Sequence, residues 1–204
     1  MRQTRPLPDT HPEFSVIEWP TFHEYRVENW RLARDGSGRI IRGAVTWTWL
    51  DLCLPLFTSL LWPRVGHFSF LLAFPCLQVN STARALVGVV LSIFAWSRCS
   101  QVLYESVLVF PTLGIQLETH RGHPCLGSLS VSRQFIHVSC LEDFVIHEGL
   151  RRWNVRYFLA AIKRSSNSPI SFCVAFENIL PYFPVLLQVY SRVQNSMFPR
   201  EPET

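Results

Sequence analysis

The stretch Glu105–Thr119, ESVLVFPTLGIQLET, decides how this chain is read. Glu105 to Phe110 is a valine-rich strand, Pro111 to Gly114 is a turn, and Ile115, Leu117 and Thr119 then alternate with Gln116, Glu118 and His120. A period of two sends successive side chains to opposite faces of a sheet, which is the pattern of a half-buried antiparallel hairpin.

Downstream the same period recurs. Leu126–Val131, Arg133–Val138, Asp143–His147, Asn154–Lys163 and Ile170–Phe176 read as further strands joined by short polar or glycine-containing connections, about seven strands in all. Ile179, Phe183, Leu186, Leu187, Tyr190 and Val193 then recur at three- and four-residue steps, on one face of a helix. Pro181 and Pro184 predict that it begins near Pro181, where first-turn amides lack intrahelical partners. Strands closed by one amphipathic helix suit a small pleckstrin-homology-like antiparallel β domain with a C-terminal helix. A generic antiparallel sheet with one packed helix is the alternative, and neither specifies a chemistry.

Upstream the charge thins out. The 204-residue chain is 48 % apolar and 17 % charged, against ~25 % charge in ordinary soluble domains. The deficit is local: between Arg42 and Arg98 the charged residues are Asp51, Arg64 and Arg84. Gly43–Pro63, bracketed by Trp47, Trp49 and Trp62, has the ~20 residues that cross a ~30 Å hydrocarbon core. Val65–Val79 contains Pro75 and is short for a span, so it reads as a re-entrant or interfacial piece. Ala85–Tyr104 is long enough when Arg98 snorkels toward headgroups. The expectation is an α+β membrane protein with an N-terminal transmembrane helical hairpin over residues 43–104. Asp51, costly at mid-bilayer, is expected to face a partner helix, a polar cavity or the interface.

Arg26, Arg31, Arg34, Arg39 and Arg42 precede the first segment, so positive-inside logic places the N-terminus in the cytosol. Two spans return the C-terminal half to the cytosol, whereas three would place it in the lumen. Met1–Pro12 carries prolines and Asp9 where a cleavable signal peptide has an apolar core. Asn80-Ser81-Thr82 matches the glycosylation acceptor pattern, a three-residue match that chance readily produces.

The net charge of +4 is scattered, with no basic run interleaved with aromatics, which argues against nucleic acid. Six singly spread cysteines lack the close pairs of a disulfide framework or zinc site and read as buried thiols. There is no glycine-rich phosphate loop, nucleophile elbow or metal-ligand helix. His120, His123 and Cys125 lie close in sequence but lack a fourth ligand and read as a surface turn. His137 and His147 fall on strands without a matched carboxylate or nucleophile. No catalytic, cofactor-binding or metal residue is assigned. Arg151, Arg152 and Trp153, with Lys163 and Arg164 at a strand end, are candidate contacts to anionic headgroups, or else a solvated basic rim. Asp51 and Arg98 complete the candidate partner or lipid contacts.

Three blocks, in order, resemble one family. ESVLVFPTLGIQLET from Glu105 looks like the opening signature of PIG-H. RQFIHVSCLEDFVIHEGLRRWNVRYFLAAIK from Arg133 is similar to its central block through Leu141, Asp143, Val145, Ile146 and Glu148. VAFENILPYFPVLLQVYSRV from Val174 resembles its terminal block through Phe176, Asn178, Leu180, Pro181, Leu186, Val189 and Tyr190. His23–Leu32, HEYRVENWRL, also looks like material that precedes the hairpin in this family. The resemblance implies a non-catalytic subunit of the complex that transfers N-acetylglucosamine from UDP-N-acetylglucosamine to phosphatidylinositol, the first step of glycosylphosphatidylinositol (GPI) anchor synthesis. It implies a PIG-A-like catalytic partner, other subunits of that complex, endoplasmic reticulum membrane lipids around it, no cofactor, and a cytosolic C-terminal domain. The expected organisation is a cytosolic segment at 1–42, the membrane hairpin at 43–104, the PIG-H-like domain at 105–194 and a flexible tail at 195–204. Two other classes compete: a phosphoinositide-binding membrane adaptor, and a small membrane enzyme using His120, His123 or His147.

Overall fold

The computed structural model describes residues 1–33, 35–42, 53, 88–89, 92–94, 96–97, 100–124, 127–151, 153–165 and 168–198. The chain divides into two units, one formed by Met1–Ala44 with Gln101–Thr204 and the other by Val45–Ser100. The described residues of the second unit are few, and those from 88 to 97 are helical.

The first unit is mostly antiparallel β. Its strands are β1 (Arg2–Thr4), β2 (Phe14–Glu18), β3 (His23–Glu28), β4 (Trp30–Leu32), β5 (Ile40–Arg42), β6 (Gln101–Phe110), β7 (Gly114–His123), β8 (Gly127–His137), β9 (Leu141–Arg151), β10 (Asn154–Ser165) and β11 (Ser168–Ala175). A 3₁₀ turn at Val138–Cys140 joins β8 to β9, and a helix, α1 (Phe183–Met197), follows β11. One sheet has the order β1-β2-β3-β6-β7-β8, a second has β11-β10-β9, and β4 with β5 forms a two-stranded ribbon.

The hairpin read from Glu105–Thr119 is present as β6 and β7, with Val107 opposite Leu117 and Val109 opposite Ile115. All four are buried, as period-two alternation over a one-sided core requires. Leu126–Val131 and Arg133–Val138, expected as two strands, are one: Ser132 does not break the ladder but pairs with Thr119. Strands β2 and β3 supply core residues Phe14, Val16, Tyr25 and Val27, and β3 pairs with β6 along His23–Glu28.

The terminal helix packs on β9, β10 and β6. Its start differs from the expectation near Pro181. Tyr182 is the N-cap and Pro184 sits in the first turn, where a missing N–H costs nothing. Its buried face is Val185, Leu186, Val189 and Val193; Phe183 and Leu187, expected on that face, are 43 % and 45 % exposed. Gln194 Nε2 donates to Asp143 Oδ1 at 3.0 Å and to the Phe144 carbonyl at 2.9 Å, tying the last turns to β9.

The expected fold class is corrected here. Among the described residues no helix is long and apolar enough to cross a membrane, and Gln101–Tyr104, the end of the third expected segment, is strand. A short uncharged run is as much the composition of a half-buried strand as of a helix end, and composition alone does not separate them. Gly43–Pro63, Val65–Val79 and Asn80-Ser81-Thr82 lie outside the described residues except for Cys53, as does half of Ala85–Ser100. The fold of the described chain is thus an antiparallel β domain with one terminal helix, not a transmembrane hairpin with a domain attached.

Candidate functional site

Val107 and Val109 set the inward parity of β6, and Glu105 shares it. Its carboxylate is therefore carried into the interior, 2 % exposed. There it accepts from Asn178 Nδ2 at 2.7 Å, Thr119 Oγ1 at 3.1 Å, and the backbone amides of Asn178 at 3.2 Å and Ile179 at 3.1 Å. A buried carboxylate is tolerated when its acceptor sites are filled by donors. These donors come mostly from the connection between β11 and α1, where Phe176 and Leu180 adopt φ of 57° and 47°. The left-handed region is costly for residues with a Cβ. Glu105 and the bond from Leu180 N to the Phe176 carbonyl, 2.9 Å, hold the connection there.

This latched connection forms one wall of a cleft of about 520 Å³, lined by Asn29, Trp30, Asn154, Arg156, Asn178, Ile179 and Leu180. Asn29 Nδ2 donates to the Val102 carbonyl at 2.7 Å. Behind the cleft, the Tyr182 ring lies 4.8 Å from Trp30 and 5.9 Å from His11, with the Arg156 guanidinium 5.8 Å from its centroid. His11 Nδ1 is 3.1 Å from Glu13 Oε1, both residues being buried. Among the described residues, Glu13 Oε2 and Trp30 Nε1 are buried without a hydrogen-bond partner. The described lining offers amides, a guanidinium and an indole, a binding set and not a proton-transfer set.

The opposite face of the large sheet carries a charged ladder. Glu118 accepts from Gln116 Nε2 at 2.6 Å and Arg133 Nε at 2.9 Å, and lies 2.9 Å from His120 Nε2. His120 stacks on Tyr104 at 4.1 Å, and the Arg26 guanidinium lies 4.4 Å from the Tyr104 ring centroid. Burial works to raise the Glu118 carboxyl, but the bonds from His120, Gln116 and Arg133 outweigh it and hold it below the ordinary glutamate value. Burial likewise pushes the Tyr25 phenol up to about 12, partly opposed by Arg192.

The residues singled out in the sequence scatter. Asp51, Arg98, Arg152 and Cys125 lie outside the described residues. His120 is engaged with Glu118, and among the described residues no group of three side chains could hold a metal. His137 accepts from Ser139 N at 3.2 Å to cap the 3₁₀ turn. His147 lies 6.2 Å from the Phe158 ring. Of the three described cysteines only Cys173 is buried. Arg151 ends β9, and Trp153 sits fully exposed in the turn before β10. Lys163 and Arg164 were grouped with them, but lie at the opposite end of β10, ~30 Å away at strand rise. Arg164 there pairs with Glu142 at 2.9 Å. Sequence reading missed Glu105, and the signal for it was present: a carboxylate in register with buried valines.

The described site is thus a β module whose buried Glu105 carboxylate locks the connection before α1 beside a polar cleft. Residues 106–184 match the family model of the GPI-GlcNAc transferase complex, PIG-H component. Over that region the sequence is similar to the PIG-H family, the family its three blocks resemble. The chain is also 27 % identical, over 125 residues, to phosphatidylinositol N-acetylglucosaminyltransferase subunit gpi15 of Schizosaccharomyces pombe, covering 60 % of this chain and 74 % of that protein. No solved structure matches the chain.

Proposed function

We propose that this chain is a subunit of the GPI-GlcNAc transferase complex that holds a PIG-A-like catalytic chain at the cytosolic face of the endoplasmic reticulum membrane and does no bond chemistry itself. The observation that carries this reading is the extent of the family match. It runs from Ser106 in β6 to the first turn of α1, so the matched sequence supplies the donors of the latch and one wall of the cleft. Glu105, one residue before the match, is occupied with four donors from matched residues, which suits a part that positions others. The complex as a whole would transfer N-acetylglucosamine to phosphatidylinositol in GPI-anchor biosynthesis, and this chain's contribution would be recruitment and orientation.

Co-purification from detergent tests it. Full-length chain is expected to bring down the catalytic subunit, and Glu105→Ala to bring down less, because the β11–α1 connection loosens. Recovery of no catalytic subunit with the intact chain overturns the proposal. Alanine replacement of His120, His123 and His147 together is expected to leave transferase activity intact; its loss in a folded variant would return the chain to the enzymes. A reporter fused after Thr204 is expected on the cytosolic side, and a luminal reporter removes the stated orientation.

A further inference from the structure

Strands β9 and β10 are the two long strands of the small sheet, and they meet in a tight turn: Arg151 pairs with Asn154 and Leu150 with Val155, leaving Arg152 and Trp153 between. Leu150 is 84 % exposed, Trp153 101 % and Val155 55 %. Three large apolar side chains at the end of one hairpin are an unpaid hydrophobic cost, unlike apolar residues scattered singly over a surface. Leu150 and Val155 are cross-strand partners and so share a face. Along β10 that face continues through Tyr157, whose ring lies 4.9 Å from Phe183. One helical turn on, Leu187 is also exposed. An apolar stripe thus descends from the tip onto the start of α1.

Charge singles out the occupant. From Gly149 to Arg156, the stretch around the tip, the sequence holds Arg151, Arg152 and Arg156 and no acidic residue. Two of these arginines immediately precede Trp153 in the sequence. A convex tip has no walls of its own to bury a partner's side chain, whereas a hydrocarbon interface accepts any protruding apolar group. Tryptophan and tyrosine favour the headgroup level, and arginine beside them finds phosphate.

We propose that the β9–β10 tip, Leu150 to Val155, is a monotopic insertion loop that enters the interface of a phospholipid bilayer carrying anionic headgroups. The inference rests on the reading of this chain as a subunit working beside a lipid substrate, and it names the surface that the small sheet would face. Leu150, Trp153 and Val155 enter the acyl boundary, the positive charge that Arg151 and Arg152 bring to this stretch of sequence favours anionic headgroups, and Tyr157 stays at headgroup depth. Lys163 and Arg164, at the far end of β10, are not part of that surface.

The test uses full-length chain with phosphatidylcholine vesicles, with and without phosphatidylinositol, whose acyl chains carry bromine to quench nearby tryptophan. Because other parts of the chain can also touch lipid, the readout is the difference between wild type and Trp153→Phe. Wild type is expected to lose more of its emission than the variant, with circular dichroism unchanged. Arg151→Gln and Arg152→Gln are expected to weaken the phosphatidylinositol-dependent part of the excess quenching roughly fivefold each. Leu150→Ser with Val155→Ser is expected to weaken insertion about tenfold. Equal fractional quenching in wild type and Trp153→Phe overturns the proposal. So does loss of the catalytic subunit from the Leu150→Ser, Val155→Ser chain with Trp153 quenching unchanged, which would make the tip a protein-docking surface. Failure of wild type to capture any catalytic subunit, with the Trp153 signal present, counts against the subunit reading and leaves the lipid contact standing.

Discussion

Glu105 shows how much one residue's parity decides. Glu105→Ala removes the acceptor for two backbone amides, the Asn178 side chain and the Thr119 hydroxyl, and is expected to cost about 3 kcal/mol in urea unfolding. Asn178→Ala removes one donor and leaves the amides served, so its cost is expected near 1 kcal/mol. Equal losses from the two variants would deny Glu105 its central place. Glu118 makes a pH prediction of definite sign. Its carboxyl is held below the unfolded value of 4.5, so its stabilisation is fully present above that value and is lost as pH falls through the folded one. Glu118→Gln is therefore expected to narrow the gap in stability between neutral and acid solution, measured by denaturant titration across that range. Of these two carboxylates, Glu118 was legible as an outward-facing charge in an alternating strand, while Glu105 reads as a charge at a strand end. Only counting by twos from Val109 and Val107 brings it inside.

At the level of elements, the β6–β7 hairpin was readable because one face is buried and the alternation is clean. Strand β8 reads as two in the sequence, Leu126–Val131 and Arg133–Val138 with Ser132 between them, yet Ser130, Ser132 and Arg133 belong to one continuous strand. Their partners on β7, Arg121, Thr119 and Glu118, supply the ladder that local composition does not announce. The turn itself depends on Gly114, at φ 142°, where an added Cβ would lie 2.1 Å from the Ile136 carbonyl oxygen. Gly114→Ala is expected to destabilise by about 3 kcal/mol, since backbone and not a movable side chain blocks the space. The helix offers a paired test of its corrected face. Leu186→Ala is expected to cost about 3 kcal/mol and Leu187→Ala less than about 0.5 kcal/mol in thermal or denaturant unfolding. The reverse order would put Leu187 in the core; spacing placed Leu186 and Val193 correctly and Leu187 wrongly, because Leu186 and Leu187 are adjacent and periodicity alone does not choose between them.

The whole molecule is stitched from distant stretches. Met1–Arg42 gave no strand signal, because Pro6, Pro8, Pro12 and Pro20 interrupt it and its pairing is with residues far along the chain. Yet β2 and β3 complete the core, and Glu18 meets Arg192 on the terminal helix at 3.3 Å. A fragment of residues 101–198 is expected to lack a cooperative melt, since one side of β6 and the core places of Phe14, Val16, Tyr25 and Val27 are left empty. Adding residues 1–42 as a separate peptide is expected to restore it. A sharp transition in the fragment alone would show the first strands to be ornament.

The pairing of Glu28 with Tyr104 also sets a clock. A ribosome adding ~5–20 residues per second must make about 75 more after β3 before β6 exists, a wait of roughly 4 to 15 seconds. Throughout it β3 holds out an unpaired edge, with Tyr25 and Val27 uncovered. The nascent chain is thus open to chaperone capture, or to mispairing with a neighbour, until its fourth-ranked strand in the large sheet has been translated.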